Sequence, residues 1–289
     1  MKIGSLCTGY GGLDMAVEAY FNAETIWVAE FDKYASQIID LRWELPNYGD
    51  ITKINWGELD PIDILTAGYP CQPFSHAGHR KGENDKRHIW PHIKKAISEL
   101  RPKIVILENV RGHLTLGFKE VLQELTEIGY DATWTIIRAS DVGAPHRRER
   151  IFVIAYPGSG WSRQQPTITA PILEYRNRDT KRSNSDGERL TLGHDEGRTQ
   201  GNKRESQSLA YELVEAIYNQ EIPNPLDQDG KLNPVFVEYM MGLPSGWVTD
   251  SGLSRTQQLK ILGNGVVPQQ AYAAIHRLLT LSQTRPTYA

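Results

Sequence analysis

With 289 residues, 39% hydrophobic and 23% charged, the chain can bury one large core, or a large and a small one, and it is not disordered as a whole. No apolar run approaches the ~20 residues that span a bilayer, and glycines break the opening MKIGSLCTGYGG where a signal peptide keeps its apolar region. Only Cys7 and Cys71 are present and the formal net charge is −3, so a disulfide framework is not expected, a reducing cytoplasm is, and any nucleic-acid surface has to be a local patch.

Lys2 to Thr8 reads as a short strand, Gly9-Tyr10-Gly11-Gly12 as a turn, and Leu13 to Phe21 as a helix. Strand, glycine turn and helix together can hold a polar, nucleotide-like ligand at the helix N-terminus. The spacing departs from G-x-G-x-x-G, so a nicotinamide dinucleotide is not the natural inference, and such turns also occur where nothing binds. A second strand, Thr25 to Ala29, ends at Glu30, a position that commonly holds ribose hydroxyls; a carboxylate capping the helix from Asp32 to Leu41 is the alternative. Gly49-Asp50-Ile51 follows that helix and offers a second polar group.

Ile62 to Thr66 is a buried strand candidate between Pro61 and Gly68, after which a sharp turn is expected to present Pro70-Cys71 at the strand's carboxyl end. Pro70 and Pro73 stiffen the backbone on either side of the thiol. A cysteine set this way is a positioned nucleophile or a small buried hydrophobe, and residues further along favour the first. The polar stretch from Ser75 to Ile89 reads as a loop suited to closing over a phosphate backbone, or as a solvated surface loop. Its three histidines, His76, His79 and His88, show no metal-ligand spacing with Cys71, so no zinc is expected.

Ile93 to Leu100 resumes a helix, and the strand Lys103 to Leu107 carries Glu108-Asn109-Val110 to the same rim as Cys71. An acid beside a thiol is the minimum for adding to an electron-poor ring while protonating it, although Glu108 alone could equally cap the next helix. Phe118 to Ile128 is an amphipathic helix and Asp131 to Arg138 a strand. Arg147, Arg148 and Arg150 then lead into the strand Ile151 to Ala155, where guanidinium forks suit anions or carbonyl oxygens.

From Gly158 the character changes. Between Glu174 and Ser208, 35 positions hold only Tyr175, Leu190 and Leu192 as sizeable apolar residues, with eight Lys and Arg against seven Asp and Glu. Such a stretch cannot form its own core; it is a recognition segment that orders on a partner, or a surface insertion. Leu209 to Tyr218 and Val235 to Met241 read as helices. Gln257 to Leu262 leads into Gly263-Asn264-Gly265-Val266-Val267-Pro268, and a final helix runs from Ala271 to Leu281.

Taken in order, LCTGYGG, AGYPCQPFS, LENV, HRRERIF, MGLPSGW and LGNGVVP resemble six motifs of the DNA (cytosine-5) methyltransferase family, in the compact form often met in phages and prophages. The resemblance covers Met1 to about Tyr156 and about Leu232 to the end. It implies an α/β fold: a Rossmann-like, S-adenosylmethionine-dependent methyltransferase sheet with helices on both faces, plus a small loop-rich target-recognition domain. Residues 1–157 and 232–289 would form one discontinuous catalytic domain, and 158–231 the recognition region.

The implied reaction moves a methyl group from S-adenosylmethionine to C5 of a cytosine flipped out of double-stranded DNA. Cys71, after Pro70, would attack C6; Glu108 would engage N3 and the exocyclic amine; Arg150 would bind the O2 edge. Asn109 would orient Pro70-Cys71 and Arg148 support the target pocket. For the cofactor the resemblance implies Gly9, Gly11 and Gly12 as points of close approach, Glu30 on the ribose, Asp50 on the adenine and Asn264 at the methionine end, with Cys7, Phe31, Ile51 and Pro70 beside them. Gln72, Ser75, Arg80 and Arg87 would meet DNA. It implies a monomer without membrane contact, and leaves room for a cognate restriction endonuclease of the same system.

Three positions depart from the family's pattern: Cys7 stands where Phe is usual, His146 where Gln is, and Gly265 where Ser is commoner. Three rivals rank below DNA methylation. A silent regulator has no need of Cys71 and Glu108. A tRNA-methylating relative fits CQPFS and its following loop less well than a DNA enzyme does. A folate-dependent enzyme of the thymidylate synthase type does not account for the glycine turn with Glu30.

Overall fold

The computed structural model describes residues 1–70, 89–158 and 221–283. Cys71, Gln72, Ser75, Arg80, Arg87 and the helix expected over Leu209 to Tyr218 lie outside the described residues. Six strands, β1 (Lys2–Leu6), β2 (Glu24–Ala29), β3 (Ile64–Gly68), β4 (Ile104–Val110), β5 (Tyr130–Ile137) and β6 (Arg150–Pro157), form one sheet in the order β2-β1-β3-β4-β6-β5. The first four run parallel, and β6 lies antiparallel between β4 and β5.

Around the sheet stand α1 (Gly12–Phe21), α2 (Lys33–Trp43), α3 (Trp90–Leu100), α4 (Phe118–Glu127), α5 (Pro234–Met240), α6 (Arg255–Asn264) and α7 (Pro268–Gln283). The two-residue period of the strands sorts their side chains between two cores. Ile64, Ile104, Ile106 and Phe152 pack with Val17 of α1 and Ile275 of α7 on one face. Leu65, Val105, Leu107 and Val153 pack with Ile97 of α3 and Leu125 of α4 on the other. Burial on both faces is why these strands read as unbroken apolar runs. Among the described residues no helix is long and apolar enough to cross a membrane.

Three elements have boundaries that differ from expectation in ways that matter for the site. β3 starts two residues later than expected, because Asp63 is held outside the strand: its side chain accepts from the Lys2 N–H at 2.9 Å and from Lys103 Nζ at 2.6 Å. The strand then runs through Gly68, two residues past the expected end at Thr66, and Gly68 pairs with Glu108. β4 likewise extends to Val110, so Glu108 and Asn109 are strand residues and not a loop beyond the strand end. At the other end of the chain Asn264 closes α6, which the sequence places two residues shorter on either side.

Candidate active site

The carboxyl ends of β1 to β4, the start of β6 and the α6–α7 junction surround a cleft of about 1020 Å³. That is the rim where parallel sheets place ligands. On β4 the strand period sends consecutive side chains to opposite faces. Glu108 faces Arg150 of neighbouring β6, with Arg150 Nε 3.0 Å from Glu108 Oε1. Asn109 reaches the other way, and its Nδ2 donates to the Tyr69 carbonyl at 3.0 Å. That carbonyl precedes Pro70, the last described residue before Cys71.

Glu108 is 7% exposed, and burial pushes its carboxyl up to about 7 although Arg150, and then Arg148, hold it down. A carboxyl so placed exchanges its proton near neutrality while an arginine stands 3.0 Å away. Tyr69, one residue before Pro70, is gripped a second time. Its hydroxyl donates to His113 Nε2 at 3.0 Å, and His113 Nδ1 donates to the Leu116 carbonyl at 2.8 Å.

Arg148 does not line the cleft. Its Nη2 donates to the carbonyls of Gly263 at 2.9 Å and Gly265 at 2.6 Å, so it holds the turn that carries Asn264 to the cleft. Gln270 in α7 in turn donates to the Arg148 carbonyl at 2.7 Å. His146, where the resembling family has Gln, donates from Nε2 to the Met240 carbonyl at 2.9 Å.

On the opposite wall, Glu30 accepts from the Gly9 N–H at 2.8 Å and the Asp32 N–H at 2.7 Å, and burial raises its pKa. Asn47 clamps the Glu30 backbone from below, accepting from its N–H at 2.9 Å and donating to its carbonyl at 3.2 Å. Phe31, next in sequence, is 76% exposed on the cleft's edge, and buried Ile51 forms part of the wall. Asp50 also lines the cleft, with Oδ1 engaged by the N–H and hydroxyl of Thr52 at 3.0 and 2.8 Å.

Gly9 has a φ of +62° and open space where a Cβ would stand, and it lines the cleft. Gly11 and Gly12, expected to do the same, do not. A Cβ on Gly11 would meet the Trp43 ring, and one on Gly12 would lie 2.1 Å from the Val266 carbonyl oxygen, so both are spent on packing the turn. Gly265 is a third case, its Cβ position only 1.8 Å from the Tyr10 ring. The Tyr10 hydroxyl donates to the Val266 carbonyl at 2.7 Å, locking the glycine turn to the α6–α7 junction.

Cys7 takes a left-handed backbone, φ +54°, at the end of β1. Burial and then Glu30 push its thiol up to about 12, so it stays protonated and is a poor nucleophile. Some cleft residues escaped the sequence reading. Asp14 lines the cleft and accepts from the buried Thr66 hydroxyl at 2.5 Å, and Lys260 crosses from α6 to Asp32 at 2.8 Å. Asp14 carried a signal, an acid within the apolar stretch LDMAV; Lys260 carried none.

A family model described as C-5 cytosine-specific DNA methylase matches residues 1–224. The chain is 29% identical over 281 residues to the Type II methyltransferase M.BsuFI of Bacillus subtilis, covering 90% of this chain and 68% of that protein. It is 29% identical over 308 residues to the Type II methyltransferase M1.ScrFI of Lactococcus lactis subsp. cremoris, covering 96% of this chain and 78% of the relative. In fold it is similar to the S. pombe Dnmt2 methyltransferase, with a TM-score of 0.63 at 16% identity over 98% of this chain and 99% of that one.

Proposed function

The chain belongs to the C-5 cytosine-specific DNA methylase family and is a DNA (cytosine-5) methyltransferase, and on that premise we propose that it uses S-adenosylmethionine and a covalent Cys71–C6 adduct on a cytosine flipped from duplex DNA. The single observation that carries the site assignment is the Glu108–Arg150 pair beside Pro70, a titrating acid and a fixed cation on one face of the sheet.

S-adenosylmethionine, when bound, supplies the electrophilic methyl group. The described residues fit such a molecule: an open approach over Gly9, a carboxylate at Glu30 for hydroxyls, an exposed ring at Phe31, and about 1020 Å³ of cleft. Asn264 and Asp50 line the ends of the same space.

In the proposed sequence the Cys71 thiolate forms a bond to C6 as the C5–C6 π electrons move toward C5 and the N3–C4 unit. Glu108 stabilises that charge by giving a proton or a hydrogen bond to N3, while Arg150 holds O2. C5 then takes the methyl group. Loss of the C5 proton to a base returns an electron pair to the ring, the C6–S bond breaks, and the thiolate is regenerated. Asn109 acts by fixing the Tyr69 carbonyl, hence the entry to Pro70-Cys71. Arg148 acts by holding the turn around Asn264.

We assign residues 158–231 to target recognition and Gln72, Ser75, Arg80 and Arg87 to DNA contact, with the protein acting as a monomer. The test is incubation with methyl-labelled S-adenosylmethionine and mixed-sequence duplex DNA, followed by nucleoside analysis. Label in 5-methyldeoxycytidine is the expected result; label in another nucleoside, or none with the cofactor bound, contradicts it.

A further inference from the structure

Eight charged side chains line the cleft among the described residues, five acids and three bases. Each base is paired with an acid: Arg150 with Glu108 at 3.0 Å, Lys260 with Asp32 at 2.8 Å, and Lys53 with Asp50 at 3.4 Å. Among the described residues Asp14 and Glu30 are left with no ion-pair partner. Glu30 has two backbone N–H groups for company. Asp14 has two hydroxyls and its own backbone N–H in the first turn of α1, and no charged partner, although it is 2% exposed where it lines the cleft, at the third residue of that helix.

Those hydroxyls are arranged to serve a carboxylate. Thr66 on β3 donates to Asp14 Oδ1 at 2.5 Å, and Ser5 on β1 hydrogen-bonds the same side chain. Thr8 lies 2.8 Å from the Ser5 hydroxyl, so Thr8 can donate to Ser5 while Ser5 donates to Asp14. An acid without a cation is expensive to bury as an anion, and hydrophobic packing would have filled the space at lower cost. A cationic ligand in the cleft removes that expense.

We propose that Asp14 is the counter-charge for the positive charge of the methyl donor, so that the cleft holds the sulfonium form more tightly than the neutral thioether left after transfer. Donor and product differ there by the one methyl group and the one positive charge that goes with it. A carboxylate lining the cleft separates them where the ribose, adenine and amino-acid contacts do not. Taking S-adenosylmethionine as the donor, as above, product release is then eased by loss of the attraction to Asp14.

The surroundings of Asp14 support a titration that couples to the ligand. Burial pushes its carboxyl up to about 7, against the hydrogen bonds from Thr66 and Ser5, and Glu18 one turn along α1 adds to the rise. β1 and β3 face it with hydroxyls and no charge. Cys7 after β1, Glu30 after β2 and Glu108 on β4 line the same cleft. From α7, Tyr272 and His276 turn to Tyr20. Below about pH 7 a cation must displace the proton from Asp14 to bind, so affinity for the charged donor rises with pH while affinity for the thioether stays flat.

The experiment is calorimetric binding of S-adenosylmethionine and S-adenosylhomocysteine to the full chain. It is run near pH 6 and near pH 8.5, in two buffers of different ionisation enthalpy. Expected for the unaltered chain is a preference for the donor that grows by about tenfold across this range, with release of about one proton on donor binding at the lower pH. Asp14→Asn, which keeps the shape, should lose about tenfold on the donor and under about twofold on the thioether, and should release no proton. Equal losses on both ligands, or donor binding without proton release, overturn the assignment. Should the variant fail to fold, proton release is compared between the unaltered chain and Glu108→Gln, which removes the other carboxyl that titrates at about 7 in the cleft; release that persists supports Asp14, and release lost with Glu108 overturns the assignment. If neither ligand binds the unaltered chain, the choice of cofactor falls and Asp14 with it; if both bind without discrimination by charge, Asp14 alone falls.

Discussion

The Asn109 side chain donates to the Tyr69 carbonyl at 3.0 Å, joining β4 to the peptide immediately before Pro70. The same carboxamide accepts from the Val110 N–H at 2.8 Å, so its orientation is fixed at both ends. Asn109→Asp keeps the acceptor and destroys the donor, setting a carboxylate against the Tyr69 carbonyl. Methyl transfer should fall by about 10²-fold in kcat, the scale of a misplaced reacting group, with affinity for S-adenosylmethionine within about twofold. Single-turnover kinetics beside equilibrium binding checks this; an unchanged kcat would remove Asn109 from any positioning role.

Glu108 titrates near 7 because burial outweighs Arg150 and Arg148. If its proton is the one offered to N3, the active form is the protonated one, and kcat/KM should decline as pH rises through about 7 in the free enzyme. Removing the cation in Arg150→Met takes away the largest influence holding that pKa down, so the declining limb should move to higher pH even as the rate falls. A limb that stays put in the variant belongs to some other group. Glu108→Gln should cost about 10²-fold or more in kcat with little change in cofactor affinity.

The glycines of the first turn should separate packing from binding. Gly12→Ala would set a methyl group 2.1 Å from the Val266 carbonyl oxygen, a backbone atom that cannot step aside. Destabilisation of about 1–3 kcal/mol is expected, seen as a lowered Tm. Gly9→Ala meets open space instead, at the modest cost of roughly 1–2 kcal/mol for a side chain at positive φ, and its methyl group enters the cleft. It should weaken S-adenosylmethionine more than it lowers Tm, and the reverse order would place Gly9 with the packing glycines.

Asp14 also links pH to stability. Its carboxyl titrates at about 7 in the fold against an ordinary value of 3.8, so the native state binds its proton more tightly than the unfolded chain does. Its contribution is fully present below the unfolded value and is lost as pH rises through about 7. Asp14→Asn cannot lose a proton and should gain in Tm relative to the unaltered chain between about pH 5 and pH 8, on the order of 5 °C. His113 and His146, both depressed by burial, tilt stability the other way over part of this range. They are common to both proteins and cancel in the comparison. Parallel Tm curves would refute the linkage.

The sheet was legible in the sequence because its strands are short apolar runs closed by polar residues, and the family was legible because its motifs fall at those strand ends. Glu30 and Glu108 were visible for the same reason. Asp14 shows in the sequence only as an acid within the apolar stretch LDMAV; that it faces the cleft does not show, because its partner Thr66 is 52 residues away. Arg148 was seen as an arginine in the right motif, but its grip on Gly263 and Gly265 spans 115 and 117 residues and exists only once α6 returns to the sheet. Gly11 and Gly12 were misjudged because a glycine leaves the same trace in sequence whether a ligand or Trp43 fills the space beside it.

The covalent route through Cys71 is tested most directly with duplex DNA in which cytosine carries fluorine at C5. After methyl transfer such a ring has no C5 proton to lose, so the C6–S bond cannot break by elimination and the adduct accumulates. With S-adenosylmethionine present, a complex that survives denaturation is expected, its DNA linked to the peptide containing Cys71, and absent in Cys71→Ala. Transfer to unmodified DNA without any trapped complex, or a complex linked through another residue, would contradict the account.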